Sequence, residues 1–417
     1  MKMQIRVRLG TMMFLQYFIW GAWYVTLATW LTKSLHFSGE QIGLAAGTTA
    51  VGAMIAPFFV GLIADKLFAT QRVLAVLHLL GGLVLLAASL QKTFTIEYVL
   101  LLLYSVCYMP TLSLTNSLAF RQMREPKLEF GPIRVLGTAG WITAGLLIGT
   151  LGLESTARPL QVAGALSLLM AAYCLSLPDT PPLAREGKFT VESVFPKEAR
   201  SLLRERSMAI FAIASFLICI PLQFYYAFTN LFLNEAGVRN AAGKMTGGQM
   251  SELFCMLLIP WFFRRLGVKY MLVAGMLAWV LRYGLFAFGN ADGHVWMFGL
   301  GILLHGICYD FFFVTGQIYI DRKSSLALRA AAQGLITFIT YGVGMFVGSW
   351  LSGAVVEHYT TLTSAGAAVH AWRSIWLFAA VASAAVLILF LLTFSDTEKA
   401  SVGTAEAAGE LPVEAPL

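Results

Sequence analysis

Twelve segments of this chain are each roughly twenty to thirty residues long, built mainly from apolar side chains and divided by polar breaks. That is the length a helix needs to cross the hydrocarbon of a bilayer. The segments lie near 9–33, 40–65, 71–91, 95–120, 132–152, 158–177, 207–235, 245–264, 268–289, 294–320, 329–356 and 372–394. They predict an all-α membrane protein of twelve transmembrane helices. Composition agrees. Hydrophobic residues make up 58% of the 417 positions and charged residues 12%, against about 25% charge in a soluble domain. Mean hydropathy is +0.74, so lipid must be the solvent for most of this surface. The 10 Trp suit anchoring at the membrane interface.

The net charge of +7 is a topology signal. With both termini in the cytoplasm, the inner segments carry 22 Lys and Arg and the outer loops six: Lys33, Lys92, Arg158, Arg239, Lys244 and Arg373. Arg282 lies within a span. This is the positive-inside bias that orients membrane proteins, and it argues against nucleic acid as a partner. Lys2, Arg6 and Arg8 lead into an apolar stretch without a small-residue cleavage site, which reads as a first helix and not as a signal peptide. The five cysteines fall inside apolar runs with no CxxC spacing, so they read as packing residues. No metal-binding cluster, cofactor motif or nucleophile–base pair appears, so neither cofactor nor catalysis is expected.

The longest polar interruption divides six spans from six. It gives a first half over residues 1–178, a cytoplasmic linker over 179–206, a second half over 207–395 and an acidic, Ala- and Pro-rich disordered tail over 396–417. The halves echo each other. Pro57-Phe58-Phe59-Val60-Gly61-Leu62-Ile63-Ala64-Asp65-Lys66, with Arg72 beyond, joins helices 2 and 3; Pro260-Trp261-Phe262-Phe263-Arg264-Arg265-Leu266-Gly267-Val268-Lys269 stands at the equivalent place in the second half. Transporters built from two parallel repeats hold substrate at midplane between them. Gly61, Asp65, Lys66 and Arg72 look like the major facilitator signature that gates the cytoplasmic side, although the second copy lacks its acidic member. Gly43/Gly47, Gly145/Gly149 and Gly344/Gly348 are spaced for close helix packing.

Several polar residues stand inside spans, where each is costly. Asp310 lies deep in helix 10. A buried carboxylate must pair with a cation or take up a proton, because burial disfavours its charged form, which makes Asp310 a candidate proton carrier, with helix–helix hydrogen bonding as the alternative. Glu252 follows Gln249 by three positions, so an amide and a carboxylate share one face of helix 8. Gln223, Tyr226 and Asn230 form a stripe on helix 7, where amides can both donate and accept hydrogen bonds. Arg134, Thr138 and Trp141 occupy i, i+4 and i+7 on helix 5. His305 and Arg282 are weaker candidates: local pairing alone accounts for either, and ligand contact is the second reading for His305.

Taken together, Tyr108-Met109-Pro110-Thr111-Leu112 with Asn116, Pro132-Ile133-Arg134 with Gly137-Thr138, Gln249 with Ser251-Glu252, Asp310-Phe311-Phe312, and Arg329 with Ala332-Gln333-Gly334 resemble the nucleoside:H⁺ symporter family of the major facilitator superfamily. The resemblance covers essentially all the spans. It implies the major facilitator fold, a bacterial inner-membrane location, and inward proton flow that drives nucleoside uptake. Substrate contacts would fall on Arg134, Thr138, Gln223, Gln249 and Glu252, and protonation on Glu252 and Asp310. Tyr226, His305, Trp141 and Tyr309 depart from the residues of characterised members, so the site is similar in type and altered in shape; these four complete the expected substrate-binding set. The expectation is a monomeric proton-coupled nucleoside symporter whose partners are substrate, protons and the lipid bilayer. A proton-coupled sugar or nucleobase carrier is the alternative, and a membrane receptor that binds without transport is the competitor from another class.

Overall fold

A computed structural model describes residues 2–59, 68–182, 192, 195–326, 328–364 and 367–395. Nine helices among the described residues are long and apolar enough to cross a membrane. One of them, Ala241–Phe288, has 48 residues, about 72 Å of helix, more than twice the hydrocarbon thickness. It turns at Gly267, whose φ of 65° and ψ of 179° leave the helical region, and so supplies two crossings. Adding the opening segment and Arg158–Cys174 gives twelve spans.

Span 1 is Met3–Trp23, continued after a turn by Leu27–Leu35. Spans 2 to 6 are Gly39–Phe59, Thr70–Ala88, Phe94–Arg121, Gly131–Thr150 and Arg158–Cys174. Span 7 is Arg206–Glu235, spans 8 and 9 flank Gly267, and span 12 is Trp372–Thr393. Span 10, Val295–Lys323, and span 11, Arg329–His358, each contain a π-helical stretch, Asp310–Val314 and Phe338–Gly344. A π turn inserts one extra residue and is frequently found at functional sites. The expected loop between spans 8 and 9 is reduced to Gly267 alone, because a single residue with positive φ suffices to redirect the chain. A short antiparallel pair, Thr360–Leu362 with Ala368–His370, fills the segment between spans 11 and 12. Gly61, Asp65 and Lys66 of the expected gate lie outside the described residues; Arg72 is exposed on the first turn of span 3.

The first six spans pack on one another, as do the last six, and the two groups meet through spans 2 with 11, 5 with 8 and 1 with 7. Within the first group, His78 of span 3 bonds Gln16 of span 1 at 3.0 Å and Ser167 of span 6 at 3.1 Å, and Gln16 donates to Thr111 of span 4 at 2.7 Å. Buried polar side chains are thereby satisfied across four spans.

The contacts between groups concentrate at one end. A Cβ added at Gly39 would come within 2.6 Å of the Glu357 nitrogen, and one at Gly145 within 2.6 Å of Thr246. Only glycine permits such approach. Ser38 and Gln41 form a reciprocal capping box at the start of span 2, and Glu357 of span 11 accepts the Gly39 N–H there at 2.6 Å. At the start of span 8, Glu154 accepts the Ala242 N–H at 2.9 Å. It also accepts from Asn230 of span 7 at 3.1 Å and from Asn234, and Thr29 of span 1 donates to Asn230 at 2.6 Å.

Candidate functional site

Between the two groups of spans lies a cavity of about 260 Å³, room for one small ligand. Its lining runs from Tyr226 and Tyr309 at mid-span to Pro57, Arg134, Gln317 and Thr337. These last positions stand toward the ends of spans 2, 5, 10 and 11 on the side that carries the chain's start. The opposite end is where the glycine contacts and the Glu154 and Glu357 caps close the molecule.

Arg134, Thr138 and Trp141 all line the cavity from span 5, as their spacing on one helical face requires. The Arg134 guanidinium sits 4.1 Å from the centroid of the Tyr17 ring. No carboxylate among the described residues pairs with it. Trp141 meets Trp20 edge-on at 5.4 Å. Tyr17, Trp20 and Tyr24 all reach the cavity and give one wall a continuous aromatic surface. The sequence reading missed them, although their i, i+3, i+7 spacing on span 1 carried the signal.

The facing wall comes from spans 7, 8, 10 and 11. Tyr226, Gln249, Glu252, Tyr309 and Asp310 line it, together with Tyr341, whose hydroxyl is 2.8 Å from that of Tyr309. Asp310 opens the π stretch of span 10 and is 1% exposed. Tyr341 lies inside the π stretch of span 11. Both wide turns thus border the cavity. Tyr24 and Tyr226 approach across the two groups at 6.4 Å, toward the closed end.

Two expected contacts lie behind the walls. Gln223 is wholly buried, beside Tyr24 and against the bare backbone of Gly348, where an added Cβ would stand 3.1 Å from its Cγ. Span 11 packs too closely on span 7 for Gln223 to face the cavity. His305 is 1% exposed and stands behind Glu252, its Nε2 2.7 Å from Glu252 Oε1. Its ring stacks on Tyr225 with centroids 4.9 Å apart. Asn230, at the far end of the span 7 stripe, is committed to Thr29 and Glu154.

The arrangement can bind a flat ring between aromatic walls and address its polar edge with a guanidinium, a hydroxyl and an amide. It also sets two carboxyl groups, Glu252 and Asp310, against the same volume. Among the described residues no group of His, Cys, Asp and Glu is arranged to hold a metal.

Comparison with known proteins follows the same lines. A family model described as nucleoside H⁺ symporter matches residues 3–399. The chain is 41% identical to YegT of Escherichia coli (strain K12) over 406 residues, 95% of each chain. It is 33% identical to the xanthosine permease of the same organism over 417 residues, covering 95% of this chain and 98% of that one. The crystal structure of the nucleoside transporter NupG, a nucleoside permease of Escherichia coli, superposes with a TM-score of 0.86 at 30% identity, covering 94% of this chain and 100% of that one.

Proposed function

The chain belongs to the nucleoside H⁺ symporter family, and from that premise we propose that it moves a nucleoside inward together with protons by alternating access. One observation carries this reading: a single cavity between the two groups of spans gathers Arg134, Thr138, Gln249, Glu252 and Asp310 against aromatic walls on both sides. The rings of Trp141 and Tyr309 offer flat apolar area to a base. Gln249, Thr138 and Arg134 offer hydrogen bonds to ribose hydroxyls and base edges.

Asp310 and Glu252 carry the proton. Two carboxyl groups that line a cavity which must close and empty are costly in their charged form, and protonation removes that cost. A protonated, loaded carrier then passes through the occluded state more readily than a deprotonated one. The bacterial inner membrane is its location, with both termini cytoplasmic, and the monomer is the working unit. In that orientation the cavity faces the cytoplasm and the Glu154 and Glu357 caps close the outside. Residues 1–178 and 207–395 act as the two rocking halves, with Gly61, Asp65, Lys66 and Arg72 as the cytoplasmic gate.

Uptake of a panel of radiolabelled nucleosides into proteoliposomes, with and without an imposed pH gradient, tests the proposal. Accumulation above equilibrium only with the inside alkaline supports it. Gradient-independent equilibration of nucleoside would remove the proton from the mechanism.

A further inference from the structure

Glu252 has a second titratable side chain, His305, built against it. The close approach of Gly306 to Ser251 holds spans 8 and 10 in register here. Gly306 N–H donates to Ser251 Oγ at 2.9 Å, and an added Cβ on Gly306 would lie 2.5 Å from the Ser251 carbonyl oxygen. Beside this contact His305 Nε2 stands 2.7 Å from Glu252 Oε1. The pair is graded in exposure: the Glu252 side chain is 22% exposed, toward the cavity, and that of His305 is 1% exposed.

The imidazole is fixed from several sides. Tyr225 stacks on it at an interplanar angle of 21°, and Tyr226 and Tyr309 contact it with centroids at 5.9 Å. Gly248 leaves the room it needs, since a Cβ there would be 3.2 Å from His305 Cβ. Behind Tyr225, the Arg282 guanidinium lies 3.9 Å from the ring centroid and donates through Nε to the Gly301 carbonyl at 2.8 Å. The charged and titratable groups that face the pair are Tyr225 and Tyr226 from span 7, Cys255 from span 8, Arg282 from span 9, and Cys308, Tyr309 and Asp310 from span 10. Arg134 of span 5 and Tyr341 of span 11 line the same cavity. Arg282 is thus a fixed cation on the protein side, and Glu252 is the nearest carboxylate to the imidazole.

We propose that Glu252 and His305 form one proton-binding unit, with His305 the positioning and proton-sharing residue behind the carboxylate that meets substrate. Before a proton arrives the unit consists of a carboxylate and a neutral imidazole, with His305 Nε2 2.7 Å from Glu252 Oε1. The pair is close in distance but not aligned for a hydrogen bond: neither His305 Nδ1 nor Nε2 has a hydrogen-bond partner among the described residues. One proton arriving from the cavity converts carboxylate plus imidazole into either a carboxylic acid bonded to imidazole or a carboxylate bonded to imidazolium. The net charge of the unit goes from minus one to zero in both cases. The imidazole therefore keeps the carboxyl oriented whether or not the proton is present, which a lone carboxylate cannot do. This inference rests on the proposed proton coupling, but it concerns which atoms hold the proton.

Two measurements test it. The first is a pH titration of the His305 ring by NMR of isotope-labelled histidine in the purified full-length protein, its signal identified by loss in His305→Gln. The curve between about pH 5 and 8 should change when Glu252 is replaced by Gln; superimposable curves overturn the unit. The second is nucleoside uptake by His305→Gln, which keeps an N–H donor toward Glu252 but cannot ionise. Its pH profile should shift by about one unit or flatten, with a larger loss in maximal gradient-driven rate than in KM. A profile and accumulation equal to wild type also overturn the unit. If coupled titration persists while no nucleoside accumulates, the functional reading fails and the unit stands.

Discussion

Glu154 accepts the backbone N–H of Ala242 at 2.9 Å, so a carboxylate that follows span 5 caps the start of span 8. The second group of spans returns the arrangement: Glu357, at the end of span 11, accepts the Gly39 N–H at the start of span 2. Spans 5 and 11 hold equivalent places in their groups of six, as do 2 and 8. Each group thus places an anion on the positive end of a helix in the other.

Opening this end of the molecule requires both caps to break. A hydrogen bond to a charged group contributes about 1.5–3 kcal/mol, so Glu154→Ala should shift the open–closed equilibrium about ten- to hundredfold toward opening on this side. Electron-spin distance measurements between labels on the outer ends of spans 5 and 8 will read that shift. Distance distributions unchanged by the substitution would show that the glycine contacts close this end unaided.

Orientation is checked by labelling. In a cysteine-free background, a cysteine at exposed position Arg239 should react with an impermeant reagent added to intact cells, and one at exposed position Lys197 only after lysis. The reverse pattern inverts the topology and makes the cavity outward-facing.

Asp310→Asn should abolish pH-driven accumulation while nucleoside exchange across the membrane persists at a reduced rate. Asparagine keeps the size and hydrogen-bonding capacity of the buried side chain but cannot carry a proton. Concentrative uptake at the wild-type level by this variant would take Asp310 out of the proton path.

Much of the site was legible because helical spacing fixes which residues share a face. Arg134, Thr138 and Trp141 at i, i+4 and i+7, and Gln249 with Glu252 at i, i+3, reach one cavity together. The span 7 stripe divided instead. Gln223 and Asn230 are seven residues apart, a rise of about 10 Å, so a ligand-sized cavity is not obliged to meet both, and only Tyr226 between them lines it. What decides is the neighbouring helix. The bare backbone of Gly348 admits span 11 against Gln223, and Glu154 claims Asn230. His305 followed the same logic: its side of span 10 was readable, but the register that sets it behind Glu252 depends on Gly306 meeting Ser251. The π turns at Asp310 and Tyr341 had no signature in the local sequence.

Ligand class is the remaining prediction. The cavity offers two kinds of surface, polar groups at Arg134, Thr138 and Gln249 and aromatic area at Trp20, Trp141, Tyr226 and Tyr309. A free sugar engages the first and leaves much of the second uncovered; a free base does the opposite. Loss of one well-made hydrogen bond in a desolvated site costs about 1–3 kcal/mol, because the protein partner is left unpaired. That is roughly 5- to 150-fold in affinity. In competition against a labelled nucleoside, intact nucleosides should outrank the matching base and ribose by at least this factor, with 2′- and 3′-deoxy analogues between them. The aromatic contribution separates in the same assay: Trp141→Ala should weaken nucleoside and base alike and leave the weak competition by ribose nearly unchanged. Ribose or base competing as well as the nucleoside would instead identify a sugar or nucleobase carrier built on the same fold.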